Sequence, residues 1–274
     1  MSRAIVTLAV GERCFCPWQQ YLLPGWRLWC EKNHYELIVF DQLLDTSTVG
    51  CSRSPAWQKL LAMSSPELRS FEKVLWLDAD VLLSPWAPDP LDAHHPALVG
   101  MARDDGSPMA SQPAWFKSIW SDVLRGSLGP AAPAGPDPFS YLDLWGFNGR
   151  LRPLFNTGVI AFSPYHHADL FRSIYNQWLD GGPGALYEMV PLNLVLQQRG
   201  LLQDLDSRYN RLFGVHHAVW RLAPAAYQRW HGKPELERAD LRVFATHLVS
   251  SSFALHFAGA HGLMEQLLGE GPIV

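Results

Sequence analysis

Four cysteines, Cys14, Cys16, Cys30 and Cys51, are all that this 274-residue chain contains, and all lie in its first fifth. None of their spacings makes the C-x-x-C pair of a zinc site, and so sparse a set is no disulfide framework, so reduced thiols are expected. Long apolar runs are missing too. The first candidate, "AIVTLAV", is seven residues, too short for the apolar region of a secretion signal together with its cleavage site and far too short to span a bilayer. No N-x-[ST] sequon occurs either, and a cytoplasmic location is the resulting expectation. Basic runs are absent: the 22 Lys plus Arg are scattered singly in a chain of formal net charge −4. That argues against a nucleic acid or an anionic membrane as the main partner and leaves a small or neutral one. Repeats and heptads are absent as well.

What the chain does have is apolar mass. At 48% hydrophobic residues it can bury a large core, and its length suits a single α/β domain with decorated loops. "RAIVTLAVG", Arg3 to Gly11, is a short β-rich run closed by glycine, and "YELIVFD", Tyr35 to Asp41, is a second strand. Helix-like sequence lies between them, from Trp18 to His34. Ser54 and Pro55 form a helix start, as N-cap and first helical residue. "KVLWLD" and "PALVGM" are the third and fourth strands, and "FNTGVIAFSP" a later one. "HADLFRSIYNQWLD" has Leu170, Phe171, Ile174 and Trp178 on one helical face, a further helix covers roughly Glu188 to Arg199, and "SFALHFAG" closes as a strand and turn. Strands alternating with helices predict a mixed, mostly parallel sheet with helices on both faces. The Pro- and Gly-rich stretch from Asp104 to Pro153 is expected to be an inserted flap. It would separate a first half (1–103) from a second (154–274).

In "KVLWLDADVLL" two aspartates, Asp78 and Asp80, end an otherwise apolar strand with Ala79 between them. Open parallel sheets bind ligands at the carboxyl ends of their strands, so these acids are expected at the mouth of a site. Two carboxylates there are hard oxygen ligands for Mg²⁺ or Mn²⁺, and a cation relieves their mutual repulsion. The triplet alone is weak, because Asp204 and Asp206 in "LLQDLD" repeat it.

"VLWLDADVLL" taken with "FNTGVIAF", "EMVPLN" and "LHFAG" resembles the nucleotide-sugar glycosyltransferases of the GT-A fold, most closely the retaining enzymes of glycosyltransferase family 8. Four motifs in order cover most of the chain. The resemblance implies that Asp78 and Asp80 bind Mn²⁺ or Mg²⁺ together with His256, whose H-x-x-G turn ends at Gly259, and that Ala79 lies against the donor. It implies a nucleotide wall at Thr7, Leu8, Ala9, Val10 and Gly11, with Asp41 as a base or ribose contact and Lys59 and Arg53 facing the donor. Asn156, Thr157 and Gly158 would meet the donor sugar, as would Asp104 and Asp105. Glu188 and Asn193 match the ends of the family motif D-Q-x-x-L-N; an acid at the first position can orient the sugar or stabilise positive charge at its anomeric carbon.

Two residues depart from the family pattern. Met189 replaces the glutamine of that motif, and Gly262 replaces the lysine that would meet the departing diphosphate, leaving that task to the metal, His261, Lys59 or Arg53. The expectation is a metal-dependent glycosyltransferase moving a hexose from a nucleotide diphosphate sugar, UDP-linked, to an acceptor hydroxyl with retention. Trp115, Trp120 and Trp145 would form the acceptor-side wall. A sugar-phosphate nucleotidyltransferase is the rival among enzymes, although "VGERCF" makes a poor triphosphate loop with one glycine. A non-catalytic nucleotide-sugar or glycan-binding module is the other.

Overall fold

The computed structural model describes residues 2–104, 113–116, 118–119, 154–181, 186–237, 240–258 and 260–273. Its strands are β1 (Arg3–Leu8), β2 (Glu36–Phe40), β3 (Lys73–Leu77), β4 (Val81–Leu83), β5 (Val99–Arg103), β6 (Phe155–Phe162), β7 (Leu202–Leu205), β8 (Arg211–Leu212) and β9 (Ala254–His256). Six of them form one sheet in the order β2-β1-β3-β6-β5-β7. β1 is parallel to β2 and β3, and β5 to β7, whereas β6 runs antiparallel to both its neighbours. The sheet is therefore mixed and mostly parallel, as the alternation of strands and helices predicts.

The helices are α1 (Glu12–Pro17), α2 (Leu23–Asn33), α3 (Thr48–Ser52), α4 (Gln58–Met63), α5 (Pro164–Gln177), α6 (Met189–Gln198), α7 (Phe213–Leu222), α8 (Pro224–His231), α9 (Leu241–Ser250) and α10 (His261–Gly269). They cover both faces of the sheet. Alternation along β1 sends Ile5 to a core with Trp18, Trp26 and Trp29, and Ala4 and Val6 to one with Trp57, Trp76 and Phe171. Helix after β1 begins earlier than Trp18: Gly11, at φ 80°, turns the chain straight into α1, and a π-turn over Trp18–Leu22 joins α1 to α2. Pro24 is tolerated because it sits in the first turn of α2. Beyond β9 the chain does not end in a turn but adds α10, whose Met264, Leu267 and Leu268 are buried.

The most consequential local event is at the end of β3. All five β3 residues are buried, and the next amide, of Asp78, donates to Gly158 O at 2.9 Å as the last rung against β6. The chain then turns, with Val81 N–H donating to Asp78 O at 3.0 Å, and enters a different sheet in which β9 lies between β4 and β8. Val81 pairs there with His256.

Trp115 packs edge-on against Trp230 of α8, centroids 5.8 Å apart, and is a packing residue rather than a wall of the cavity described below. Asp105, Trp120 and Trp145, and the segment 126–138 of the expected flap, lie outside the described residues. All four cysteines are unpaired. Among the described residues no helix is long and apolar enough to cross a membrane.

Buried histidines set an acid limit on this fold. His94 is 3% exposed; its Nε2–H donates to Leu98 O at 2.8 Å, and burial pushes its pKa down to about 4. His231 is pushed down to about 3, by burial first and then by His216, His247 and Arg211 nearby. Both groups bind a proton in the unfolded chain at an ordinary histidine pKa but not in the fold. Stability is thus fully present above that range and is lost as pH falls towards their folded values, by up to about 1.4 kcal/mol per pH unit for each group. Denaturant midpoints should drop over that window, and His94→Gln, whose amide can keep the Leu98 bond, should flatten the fall.

Candidate active site

The turn between the two sheets delivers both acids to one place. Strand β3 ends in the core with Asp78 at its carboxyl end, and β9 returns beside β4 carrying His256. His256 Nε2 lies 3.1 Å from Asp80 Oδ1 and 3.7 Å from Asp78 Oδ2. One ligand atom from each of the three residues falls within 4.8 Å of the others, which suits a common ion. Burial opposes the charge on both Asp80 and His256, but their mutual attraction, with His261 and Lys59 beside Asp80 and Asp78 beside His256, prevails. The Asp80 carboxyl is held below its ordinary pKa and the His256 imidazole above its own.

Lys59, from α4, is the other charge. Its Nζ lies 2.9 Å from Asp78 Oδ1, 3.2 Å from Asp78 Oδ2 and 2.9 Å from Glu188 Oε1, and it donates to Thr157 O at 3.0 Å. Burial alone would discharge it, yet the two carboxylates raise its pKa. Thr157 Oγ1 donates to the same Glu188 oxygen at 2.9 Å. Lys59 is therefore not a free cation for a donor but the counter-ion of Asp78 and Glu188. Asp78, Asp80 and Glu188 thus set three carboxylates against the one ammonium of Lys59, an excess that favours a cation beside Asp78 and Asp80. The donor set of two carboxylates and an imidazole fits Mn²⁺ or Mg²⁺.

Immediately before Glu188, Leu186 and Tyr187 both adopt positive φ, 55° and 52°. Such a conformation costs a non-glycine residue on the order of 1 kcal/mol and tends to be kept where geometry matters. Here it aims Glu188 inward, where it is 3% exposed.

A cavity of about 340 Å³ opens on these groups, lined by Leu8, Val10, Arg13, Cys14, Pro17, Pro55, Ala56, Lys59, Trp76, Asp78, Ala79, Asp80, His261 and Met264. Of the expected nucleotide wall only Leu8 and Val10 reach it. Strand alternation turns Thr7 and Ala9 into the core, where Thr7 Oγ1 donates to Leu77 O, and Gly11 serves as the N-cap of α1. Asp41 lines a separate hollow of about 370 Å³ with Trp18, Arg27 and Val39. The guanidinium of Arg53 donates to Tyr175 O and Trp178 O and stacks over Tyr175, so it is a brace for the end of α5 and not a donor contact.

Other expected sugar contacts are committed internally. Asn193 clips α6 to β6: its Oδ1 accepts from Phe155 N–H and its Nδ2 donates to Phe155 O and Met189 O. Asn156 Nδ2 donates to Asp104 Oδ2 at 2.8 Å, and its Oδ1 accepts from Gly158 N–H at 2.9 Å. Gly158 matters for room: a Cβ there would lie 2.3 Å from His256 Cε1 and Nδ1. His261 opens α10 at the cavity rim, its Nδ1 3.7 Å from Asp80 Oδ2. Gly259 lies outside the described residues. The rival pair is otherwise engaged, since Asp204 is paired with Arg103 of the neighbouring strand β5, and Asp206 caps the turn Ser207–Asn210 and pairs with Arg208.

Sequence reasoning missed three residues. Arg13, within "VGERCF", lines the cavity with no ion pair among the described residues. Trp76 Nε1–H donates to Asp78 Oδ1 at 2.7 Å. Asn210 lies against His256 Nδ1 at 3.0 Å, and no spacing in the sequence signals it. Gly158→Ala should push the His256 ring from its seat and weaken Mn²⁺ binding by about 10-fold or more, while circular dichroism stays native. Asp204→Asn should leave Mn²⁺ binding, measured calorimetrically, unchanged.

No protein-family model matches the sequence, and no curated protein matches it. Solved structures do resemble it. A glycosyltransferase involved in glycosylation of the major capsid of PBCV-1 superposes with a TM-score of 0.54 at 12% identity, covering 97% of this chain and 100% of that one. The bifunctional glycosyltransferase WbbM superposes at 0.53 and 14% identity over 99% of this chain, which spans 50% of WbbM. At such identities the likeness concerns architecture, and the architecture of this chain is the GT-A fold found in these glycosyltransferases.

Proposed function

We propose that this protein is a glycosyltransferase that uses a divalent cation, Mn²⁺ or Mg²⁺, to move a hexose from a nucleotide diphosphate sugar, UDP-linked, to an acceptor hydroxyl. The observation that carries the reading is the convergence of Asp78, Asp80 and His256 at the carboxyl end of β3, where Asp78 and Asp80 line a mostly apolar cavity. The GT-A fold adds to it. Retention of configuration rests on the resemblance to family 8.

The chain's own residues divide the work. Leu8, Val10, Pro17, Pro55 and Ala56 offer a flat apolar wall to the base and ribose. Asp78, Asp80 and His256 would hold the cation, which when bound supplies Lewis-acid neutralisation of the diphosphate. Arg13 and His261 line the same cavity from the starts of α1 and α10, and they are the donors available to the departing phosphate oxygens. They take the task left open by Gly262, for which Arg53 is excluded by its place in the fold and Lys59 by its pairing. As the bond from the anomeric carbon to the diphosphate breaks and that to the acceptor oxygen forms, positive charge grows on the sugar. Glu188, held by Lys59 and Thr157, supplies a fixed negative charge near it.

Incubation with a panel of UDP- and GDP-sugars and Mn²⁺, followed for slow donor hydrolysis, tests this directly. Wild-type protein should release nucleoside diphosphate, and Asp80→Asn should lower that rate by about 100-fold or more with an unchanged melting temperature. Arg13→Ala should cost about 10- to 100-fold, as expected for hydrogen bonds to a charged group. Release of pyrophosphate from a nucleoside triphosphate would instead mark a nucleotidyltransferase, and binding without turnover a recognition module.

A further inference from the structure

We infer that Asn210 is a positioning residue that, anchored through Asn156 to Asp104, fixes the tautomer and orientation of His256 so that Nε2 is the atom offered to a cation. The inference rests on the reading of Asp78, Asp80 and His256 as a metal site.

The direction of the hydrogen-bond chain follows from its ends. The Asp104 carboxylate accepts and does not donate, so the group of Asn156 at 2.8 Å from it is the NH₂. The main-chain N–H of Gly158 donates at 2.9 Å to the other group, which is therefore the carbonyl oxygen. Two independent partners thus agree on the orientation of Asn156. Its Oδ1 also accepts from Asn210 Nδ2 at 2.8 Å, which leaves Asn210 Oδ1 facing His256 Nδ1 at 3.0 Å. An amide oxygen only accepts, so Nδ1 carries the proton and Nε2, 3.1 Å from Asp80, has the lone pair whenever the ring is neutral.

Burial makes the relay strict. Asn210 is 0% exposed, Asn156 8%, Asp104 7% and His256 4%, so bulk water is poorly placed to substitute for a missing partner. The ring cannot swing aside either, because it lies flush on Gly158. The opposite tautomer would set two acceptors against each other at Nδ1 and present N–H to the cation. Partners of this kind behind a metal-bound imidazole typically change metal affinity by about 10- to 100-fold.

The test uses the full chain with Mn²⁺ alone. Calorimetric Mn²⁺ titration, and ring-nitrogen NMR of histidine-labelled, metal-free protein at a pH high enough for the His256 ring to be neutral, are compared for wild type, Asn210→Leu and Asn210→Asp. Wild type should show the Nδ1–H form of His256. Asn210→Leu, which keeps the shape and removes the acceptor, should mix in the Nε2–H form and bind Mn²⁺ about 10- to 100-fold more weakly. Asn210→Asp retains the acceptor and should restore the Nδ1–H form. Should Asn210→Leu not fold, Asp104→Asn removes the charge that orients the chain and should shift the same spectrum. Wild type in the Nε2–H form, or unchanged Mn²⁺ affinity in Asn210→Leu, would overturn the inference. Wild type that binds no Mn²⁺ overturns the metal reading and with it the purpose of the relay, while the spectrum still decides the relay itself.

Discussion

Two half-buried carboxylates, Asp78 and Asp80, line the cavity, a third, Glu188, is buried, and a single ammonium, Lys59, is committed to Asp78 and Glu188. Charges removed from water must be paired, and those left over require either protons or a cation. Much of the surrounding structure can be understood from that imbalance. The raised pKa of His256 is one response, since without a cation its imidazole is the nearest group able to become positive. Proton and metal would then compete for the same Nε2 lone pair.

The fold creates this imbalance by handing the chain from one sheet to another. If β3 continued past Leu77, Asp78 and Asp80 would project to the same face of one strand, two residues apart. Instead the chain turns, β4 pairs with β9, and the pairing of Val81 with His256 sets the imidazole beside the acids. The antiparallel strand β6 closes the other side. Its Asn156, Thr157 and Gly158 give the anchor of the relay, the bridge between Lys59 and Glu188, and the room for the His256 ring. Such a "FNTG" run serves the site by holding other residues in place as much as by facing a ligand.

The strands, the core faces of the helices and the Asp78–Asp80 pair were legible because they depend on local pattern: apolar runs bounded by glycine and aspartate, and apolar residues at helical spacing. His256 was legible only in company, through its place after "SFAL" and the order of four motifs. Thr7, Ala9, Asp41, Arg53 and Asn193 were assigned to the donor because they sit near the right motifs in the chain, and each points elsewhere. Position along the chain does not say which side of a strand or which end of a helix a side chain takes.

By itself, then, the sequence determined the class of fold and the acids that end the third strand, since these follow from residue type and short spacing. Only the tertiary structure decided which of two D-x-D pairs is available. Asp204 and Asp206 are each paired with an arginine, Arg103 and Arg208, whereas Asp78 and Asp80 meet Lys59 and His256 beside a cavity. Only the tertiary structure brought Asn210 to His256 across 46 residues of chain. The reason is physical: a side chain's ionisation and reach depend on what surrounds it in space, and most of what surrounds these residues is distant in sequence.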